Sequence, residues 1–385
     1  MKRTICIVLA LLIAASAFAG GGRDKAAGGK PEIQFWTSGS DNVRLVFEKL
    51  VAEFNADPEY SKICTVKMQY MPSGGGNQTI MSRMLAAYQA AQSGTKNLGI
   101  DLAEFGEGEI SAFLSEGGPN MFVKLDAGKL PNFKDVSARP SQGAEYFIPY
   151  RGTTVVMAYN SAVISNPPKT TAELTAWIKA HPGRFSYNSP GSGGAGGAYV
   201  VTAIYNFLPA EALASADAKW KDQWTQGLNY LKEIHPFLYK ASGRVVYPNK
   251  NQGTLDLLAS KEIDMAPAWA DQAITAIKTG ALPSTVKIYQ INPAFTGSCQ
   301  VFGVPSFSSH PAEAAAFIDF CLSAKAQNIL LTEMAAIPLI PESKLDASQA
   351  VYVRDLDVSA FRINSIGSLS QDLYKVWDET IAPLQ

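Results

Sequence analysis

Apolar and polar side chains alternate through Glu32-Ile33-Gln34-Phe35-Trp36. That is the two-residue period of a strand, and it breaks at Ser38-Gly39-Ser40. Val43, Val46, Phe47, Leu50 and Phe54 then recur at helical spacing behind Asp41 as N-cap. Cys64–Met71 predicts a second strand, ended by Pro72-Ser73-Gly74-Gly75-Gly76, and Asn77 caps a helix with Ile80, Met84 and Tyr88 on one face. Ile100–Ala103 predicts a third strand, and a helix carrying Ile110, Phe113 and Leu114 follows Glu104-Phe105-Gly106. The alternation resumes at Thr153–Tyr159. Thr170–Glu173 forms a capping box before a helix with Leu174, Trp177 and Ile178. Arg184–Tyr187, Val245–Tyr247 and Ile263–Ala266 read as further strands. Helices with Ala198, Val201 and Tyr205, over Thr254–Ala259, and through Ile274 and Ile277 lie between or after them. Ile288–Ile291, Val301–Val304 and a helix over Pro311–Ser323 complete the pattern.

Strand followed by helix, repeated in two runs, predicts an α/β fold of two mainly parallel, doubly wound sheets. Ligands of such sheets sit beyond the carboxyl ends of the strands, where loops enter helices. Those loops supply the candidate binding residues: Trp36, Ser38 and Gly39 after the first strand, Gly75, Gly76 and Asn77 after the second, and Glu104 after the third. The second run adds Asn188, Gly194 and Ala195, then Trp269 and Asp271, and Arg151 stands at the first crossing between the runs. The tryptophans suit an aromatic cleft lining, the carboxylates suit a cation or hydroxyls, and the arginine suits a carboxylate.

The amino terminus reads differently. Met1-Lys2-Arg3 is a positive start, Thr4–Ser16 is almost wholly apolar, and Ala17-Phe18-Ala19 ends in small-x-small spacing. Together these predict a secretory signal, cleaved after Ala19. The apolar run is shorter than the ~20 residues of a membrane span. No later run approaches that length, so a soluble, periplasmic mature chain is expected. Gly20 rather than Cys at the cleavage point argues against a lipid anchor. Residues 20–30 form a Gly-rich tether with nothing to bury.

Of the 385 residues 47% are hydrophobic and 17% charged, enough apolar material for large cores. The 33 Lys+Arg against 34 Asp+Glu give a net charge of -1. Loss of Lys2 and Arg3 with the signal makes it more negative still. A chain without basic excess is not expected to bind nucleic acid. Cys64, Cys299 and Cys321 remain after cleavage, an odd set that permits at most one internal disulfide. Cys321, in an apolar helical stretch, reads as a small buried residue.

Gly191–Gly196 reads G-S-G-G-A-G and matches the dinucleotide pattern G-x-G-x-x-G. The preceding strand is polar, and Asn188-Ser189-Pro190 interrupts the turn. What remains is a flexible turn at a helix N-terminus, whose N–H groups can meet an anion or a polar oxygen. His181, His235 and His310 each precede proline and have no partner at metal-ligand spacing. No nucleophile elbow or phosphate loop is present. No catalytic residue, metal or cofactor is therefore expected. The competing class is a secreted hydrolase using Glu104 and Asp271 as a carboxylate pair.

The order of several weak motifs resembles the extracellular solute-binding proteins of ABC importers. They are Ile33–Ser38, Phe122–Asp126, Ile148–Gly152 running to Ala158–Ser161, Pro167–Leu174, Leu257–Ala266, Pro311–Gln327 and Ile337-Pro338. Asn188–Tyr199 and Tyr247-Pro248 most resemble a branch near the thiamine- and polyamine-type binders. The resemblance implies a two-lobe type II periplasmic-binding fold with two crossovers and a ligand cleft. It places residues 31–152 and 290–385 in lobe 1, the latter carrying C-terminal helices, and 153–289 in lobe 2. It further implies a monomer that passes a small solute to the permease transmembrane subunits, the solute being a sugar, a thiamine-like molecule, a polyamine or a small organic anion. The adjacent-tyrosine pair of the family's ferric-ion binders is missing, which argues against iron.

Overall fold

The computed structural model describes residues 29–72 and 79–384. The expected signal segment, and with it Gly75, Gly76 and Asn77, lies outside the described residues. From Pro31 onward the chain forms one compact unit.

Seven strands share one mixed sheet: β1 (Glu32–Gly39), β2 (Thr65–Pro72), β3 (Leu102–Gly106), β4 (Phe147–Asn160), β5 (Met265–Trp269), β6 (Val286–Tyr289) and β7 (Gly297–Gly303). β1 pairs in parallel with β2 and β3, as the βαβ alternation requires. β7 then runs antiparallel to β3 and to the first half of β4. The second half of β4 pairs antiparallel with β5 and β6.

The second run is thus not mainly parallel. β4 enters it from the first run with opposite direction, so its neighbours oppose it. The segment expected as the strand Arg184–Tyr187 contributes one parallel bridge, Phe185 to Met265. Around Val245–Tyr247 the strand shrinks to a two-residue hairpin arm, Arg244–Val245. Polar flanks and the turn at Ser242-Gly243, both at positive φ, leave that arm nothing to extend.

The helices that enter the site are α1 (Asp41–Ala56), α2 (Ile80–Gln92), α3 (Ile110–Glu116), α4 (Ala195–Tyr205), α5 (Lys250–Ala259), α6 (Ala270–Lys278) and α7 (Leu369–Thr380). Val43, Val46, Phe47, Leu50 and Phe54 all face inward on α1, the stripe their spacing predicts. They meet Phe35, Tyr150, Phe302 and Phe317 in a first core rich in edge-on aromatic pairs. A second core gathers Tyr187, Tyr199, Ile204, Trp224 and Trp377. α4 is buried on every side, consistent with its nearly continuous apolar and small residues. A smaller cluster of Val156, Ile274, Leu331 and Ile337 joins β4 and α6 to the helix Ala324–Met334.

The chain passes between the two main cores three times, not twice. β4 carries it from Tyr150 in the first core to Val155 in the second, and Phe295 to Val301 brings it back. After Leu339 it returns, and Ile366, Leu369, Leu373 and Trp377 pack in the second core. α7 therefore sits with the second core, whereas the sequence reading put all of 290–385 with the first. Its partners Tyr187 and Tyr247 are more than a hundred residues away, so its own sequence does not reveal them. Cys64, Cys299 and Cys321 are all buried, and none of the three is joined to another by a disulfide. Among the described residues no single helix is long and apolar enough to cross a membrane.

Candidate functional site

Beyond the carboxyl ends of β3 and β5 lies a cavity of about 830 Å³. Glu109, which precedes α3, and Ser111, Ala112, Ser115 and Glu116 on α3 form one wall. The spacing is that of one helical face, the polar one, because Ile110 and Phe113 turn into the first core. Met81 of α2 extends this wall. Opposite stand Gly194, Ala198 and Val201 of the α4 start, at i, i+4 and i+7, with Trp269 at the end of β5. Thr296, the segment Asn364–Ser370 and Tyr374 of α7 close the remaining side.

The loop before α4 is shaped by Asn188, which is fully buried. Its amide donates to Ser189 O, Ser192 Oγ and Gly193 O, and its Oδ1 accepts from Gly196 N at 2.7 Å. Asn188 therefore builds the turn instead of facing a ligand. Gly194 takes a φ of +98°, and a Cβ there would lie 2.5 Å from Asn251 N, so only glycine fits. Ala195 is wholly buried as the first residue of α4. Asn251, at the start of α5, accepts from Trp269 N at 3.1 Å. The N-termini of α4, α5 and α6 are thus brought together at one side of the cavity.

Glu104 does not line the cavity. It lies behind it in a buried network that ties the strand ends together. Thr37 Oγ1 donates to Glu104 Oε1 at 2.7 Å, and Tyr150 OH donates to Oε2 at 2.9 Å. Arg151 Nε donates in turn to the Tyr150 hydroxyl at 3.1 Å. Asn42, in the first turn of α1, reaches across to Asp271 Oδ2 on α6 at 3.0 Å. Burial raises the Glu104 carboxyl above its ordinary range, opposed by the positive Arg151 and the Thr37 and Tyr150 hydrogen bonds. Asp271 is raised for the same reason, against Arg151 and Asn42. Desolvation alone would lower Arg151, but Tyr150 and Glu104 outweigh it and hold the guanidinium charged. One cation held near two carboxylates, where β4 leaves the first core, makes a strut between elements of both cores.

Of the sequence-predicted residues, the structure brings Gly194 and Trp269 to the cavity and gathers Glu104, Arg151 and Asp271 in the strut. Trp36 lies elsewhere. Its indole donates to Gly99 O at 2.7 Å and carries the Arg83 guanidinium over its ring, on the face of β1 opposite Phe35. It therefore does not oppose Trp269. Ser38 and Gly39 end β1, where Gly39 O accepts from Tyr70 OH. Glu104 and Asp271, the hydrolase candidates, are both engaged in the strut.

Glu109, Glu116 and Tyr374 were not anticipated. The polar face of α3 was legible as an amphipathic pattern, but nothing local shows that it turns to a cavity. Tyr374 is close to Gly197 only in space, where a Cβ would lie 2.4 Å from its hydroxyl. Glu109, whose residue surface is exposed, accepts from Gly106 N at 3.3 Å, and desolvation of its carboxyl group raises it above the ordinary carboxylate range. A second cavity of 770 Å³ is lined by Glu107, Arg139, Cys299 and Arg354 among others.

Comparison with known proteins agrees with this architecture. In Escherichia coli (strain K12), protein YnjB is 27% identical over 209 residues, 52% of this chain and 51% of that protein. The match thus spans about half the length of that curated relative. An ABC transporter from Clostridium perfringens superposes with a TM-score of 0.63 at 16% identity, covering 90% of this chain and 99% of that one. Apo ferric ion-binding protein A of Pasteurella haemolytica gives 0.64 at 12% identity, over 91% and 98%. An ABC transporter substrate-binding protein from Bradyrhizobium japonicum gives 0.60 at 16%, over 91% and 100%. At these identities the superpositions establish the fold, that of periplasmic-binding-protein-like chains. The model of a bacterial extracellular solute-binding protein matches residues 49–355. Because that match spans most of the chain, the protein belongs to the bacterial extracellular solute-binding family.

Proposed function

We propose that this chain captures a small polar solute in the 830 Å³ cavity and delivers it, in the periplasm, to the permease subunits of an ABC importer. One observation carries the reading: the cavity's walls come from both cores. Met81 packs on the first core, while Ala198, Val201, Trp269 and Tyr374 pack on or in the second. A solute bound there touches both sides. It gains most contact when they approach, so it shifts the population toward a closed form that a permease can distinguish.

In this reading one lobe comprises residues 31–152 with the return through β7 to about 340. The other comprises 153–289 with the end of the chain from about 366. Hinge motion is carried by the three connecting passages.

The test is a thermal-shift panel of maltose, putrescine, spermidine, choline, thiamine, citrate and glutamate, with Ser115→Trp as control. Ser115 is exposed on the cavity wall, so tryptophan fills the space at little cost to folding. A compound at 100 times its Kd adds about 2.7 kcal/mol of stability. We expect at least one compound to stabilise the native chain and not Ser115→Trp, with a smaller radius of gyration by X-ray scattering. Stabilisation that survives Ser115→Trp places the solute elsewhere and overturns the assignment.

A further inference from the structure

We infer that residues 357–362, in the third connecting passage, form a strap over the hinge whose Phe361 ring is the fulcrum. The ring lies on both hinge strands and sets the resting opening of the lobes. The inference rests on the hinge reading above and goes beyond it by naming the element that limits the motion.

Two paired strands carry the first two passages. β4 and β7 run antiparallel, with Gly152 opposite Cys299 and Thr154 opposite Gly297. Gly152 and Gly297 are thus diagonal neighbours on the stretch where the chain leaves one core for the other. Neither takes a positive φ, so the backbone does not demand glycine at either position. The demand comes from the ring above them. A Cβ at Gly152 would stand 3.0 Å from Phe361 Cε2, and one at Gly297 would stand 2.9 Å from Phe361 Cγ. One ring therefore covers both strands, its two edges seated where no side chain stands. Such glycines mark close approach within a sheet, and they leave the strands easier to bend. The ladder between β4 and β7 also shifts register between Pro149 and Arg151, beside the same stretch.

The strap is tied on both sides of the hinge. Val358 packs against the first core. Gln290 Nε2 donates to Asp357 O at 3.2 Å, and Asp357 N donates to Gln290 Oε1 at 2.8 Å. Gly297 N donates to Arg362 O at 3.1 Å, and the Arg362 guanidinium donates to Asn206, just after α4 in the second core. With these ties in place, twisting β4 against β7 must move the ring or break a tie. Phe361 is half-buried and lines two cavities, of 770 and 480 Å³, so it is not close-packed on every side. It can follow a small twist, whereas a large one drives a strand into it.

The unliganded chain and its variants Phe361→Ala and Phe361→Leu test the strap by two readouts. Spin labels on Ser115→Cys and Ser370→Cys, in α3 and α7 at the cavity wall, report the opening, since the native cysteines are buried. Hydrogen exchange reports the amides of Gly152 and Gly297, which donate to Ile337 O and Arg362 O. We expect Phe361→Ala to broaden the distance distribution and to speed exchange at both amides about tenfold, with amides of α1 and α4 unchanged. Phe361→Leu keeps most of the apolar volume, so it should fold and move both readouts the same way, by less. Gly152→Ala should lower the melting temperature in the native background and much less in Phe361→Ala, because the ring is its nearest neighbour. Distances and hinge exchange unchanged in both Phe361 variants overturn the strap. Exchange accelerated equally in the cores also overturns it, being the mark of ordinary lost packing, and so does a Gly152→Ala loss equal in both backgrounds. Neither readout uses a solute. Failure here leaves the cavity assignment standing, and failure of the compound panel leaves the strap standing.

Discussion

Replacing Arg151 with methionine removes the one cation near Glu104 and Asp271 while keeping the volume of the stem. Arg151 is 7% exposed, Glu104 2% and Tyr150 fully buried, so water cannot take over the lost charge. Removing one partner of a buried charge pair costs about 3–5 kcal/mol, because the remaining charge stays desolvated. For a chain of this size that lowers the melting temperature by roughly 4–7 °C.

The sign of the pH effect follows from Glu104. Its folded pKa already lies above the unfolded value of 4.5 because of burial, and loss of Arg151 raises it further. The folded state then binds its proton more tightly than the unfolded chain. The penalty is absent in acid and grows as pH rises above the unfolded pKa. The deficit of Arg151→Met relative to the native chain should therefore shrink toward acid pH. Adding Glu104→Gln to Arg151→Met should recover part of it, since the amide keeps its contacts to Thr37 and Tyr150 without a charge. Denaturant titrations across pH measure both effects. A deficit below about 1 kcal/mol at neutral pH, or a double variant no more stable than the single one, would refute the strut.

Two further outcomes follow from the cavity's walls. A Gly196→Ala Cβ would fall 1.7 Å from Asn188 O, so the loop must move and the substitution should cost at least about 1–3 kcal/mol; an unchanged unfolding midpoint would refute the turn geometry. Desolvation raises the folded Glu109 carboxyl above its unfolded value of 4.5, toward about 7, so the native chain should lose stability as pH rises through that window. Glu109→Gln should abolish that part of the slope, and unfolding midpoints that vary with pH identically in both chains would show that Glu109 is not desolvated.

How far the sequence reaches can be judged from particular residues. The stripes of α1 and the alternation of β1 are local, fixed by side-chain period, and they folded as read. The α/β class and the place of the loops beyond strand ends followed from the same periodicities. Gly194 and Trp269 were legible as a glycine turn and a strand end, where a ligand can approach, and the fold places both at the cavity wall. Trp36 was not, since neighbouring positions on one strand face opposite ways, and only the packing of Phe35 decides that its partner is Gly99. The mixed direction of the second ladder, the third passage of the chain and the seating of α7 against Tyr187 depend on contacts between segments far apart in sequence. The acidic wall of α3 belongs with these. Glu109 and Glu116 are ordinary surface residues in the sequence and remain exposed in the fold, and only the tertiary structure sets them beside a cavity.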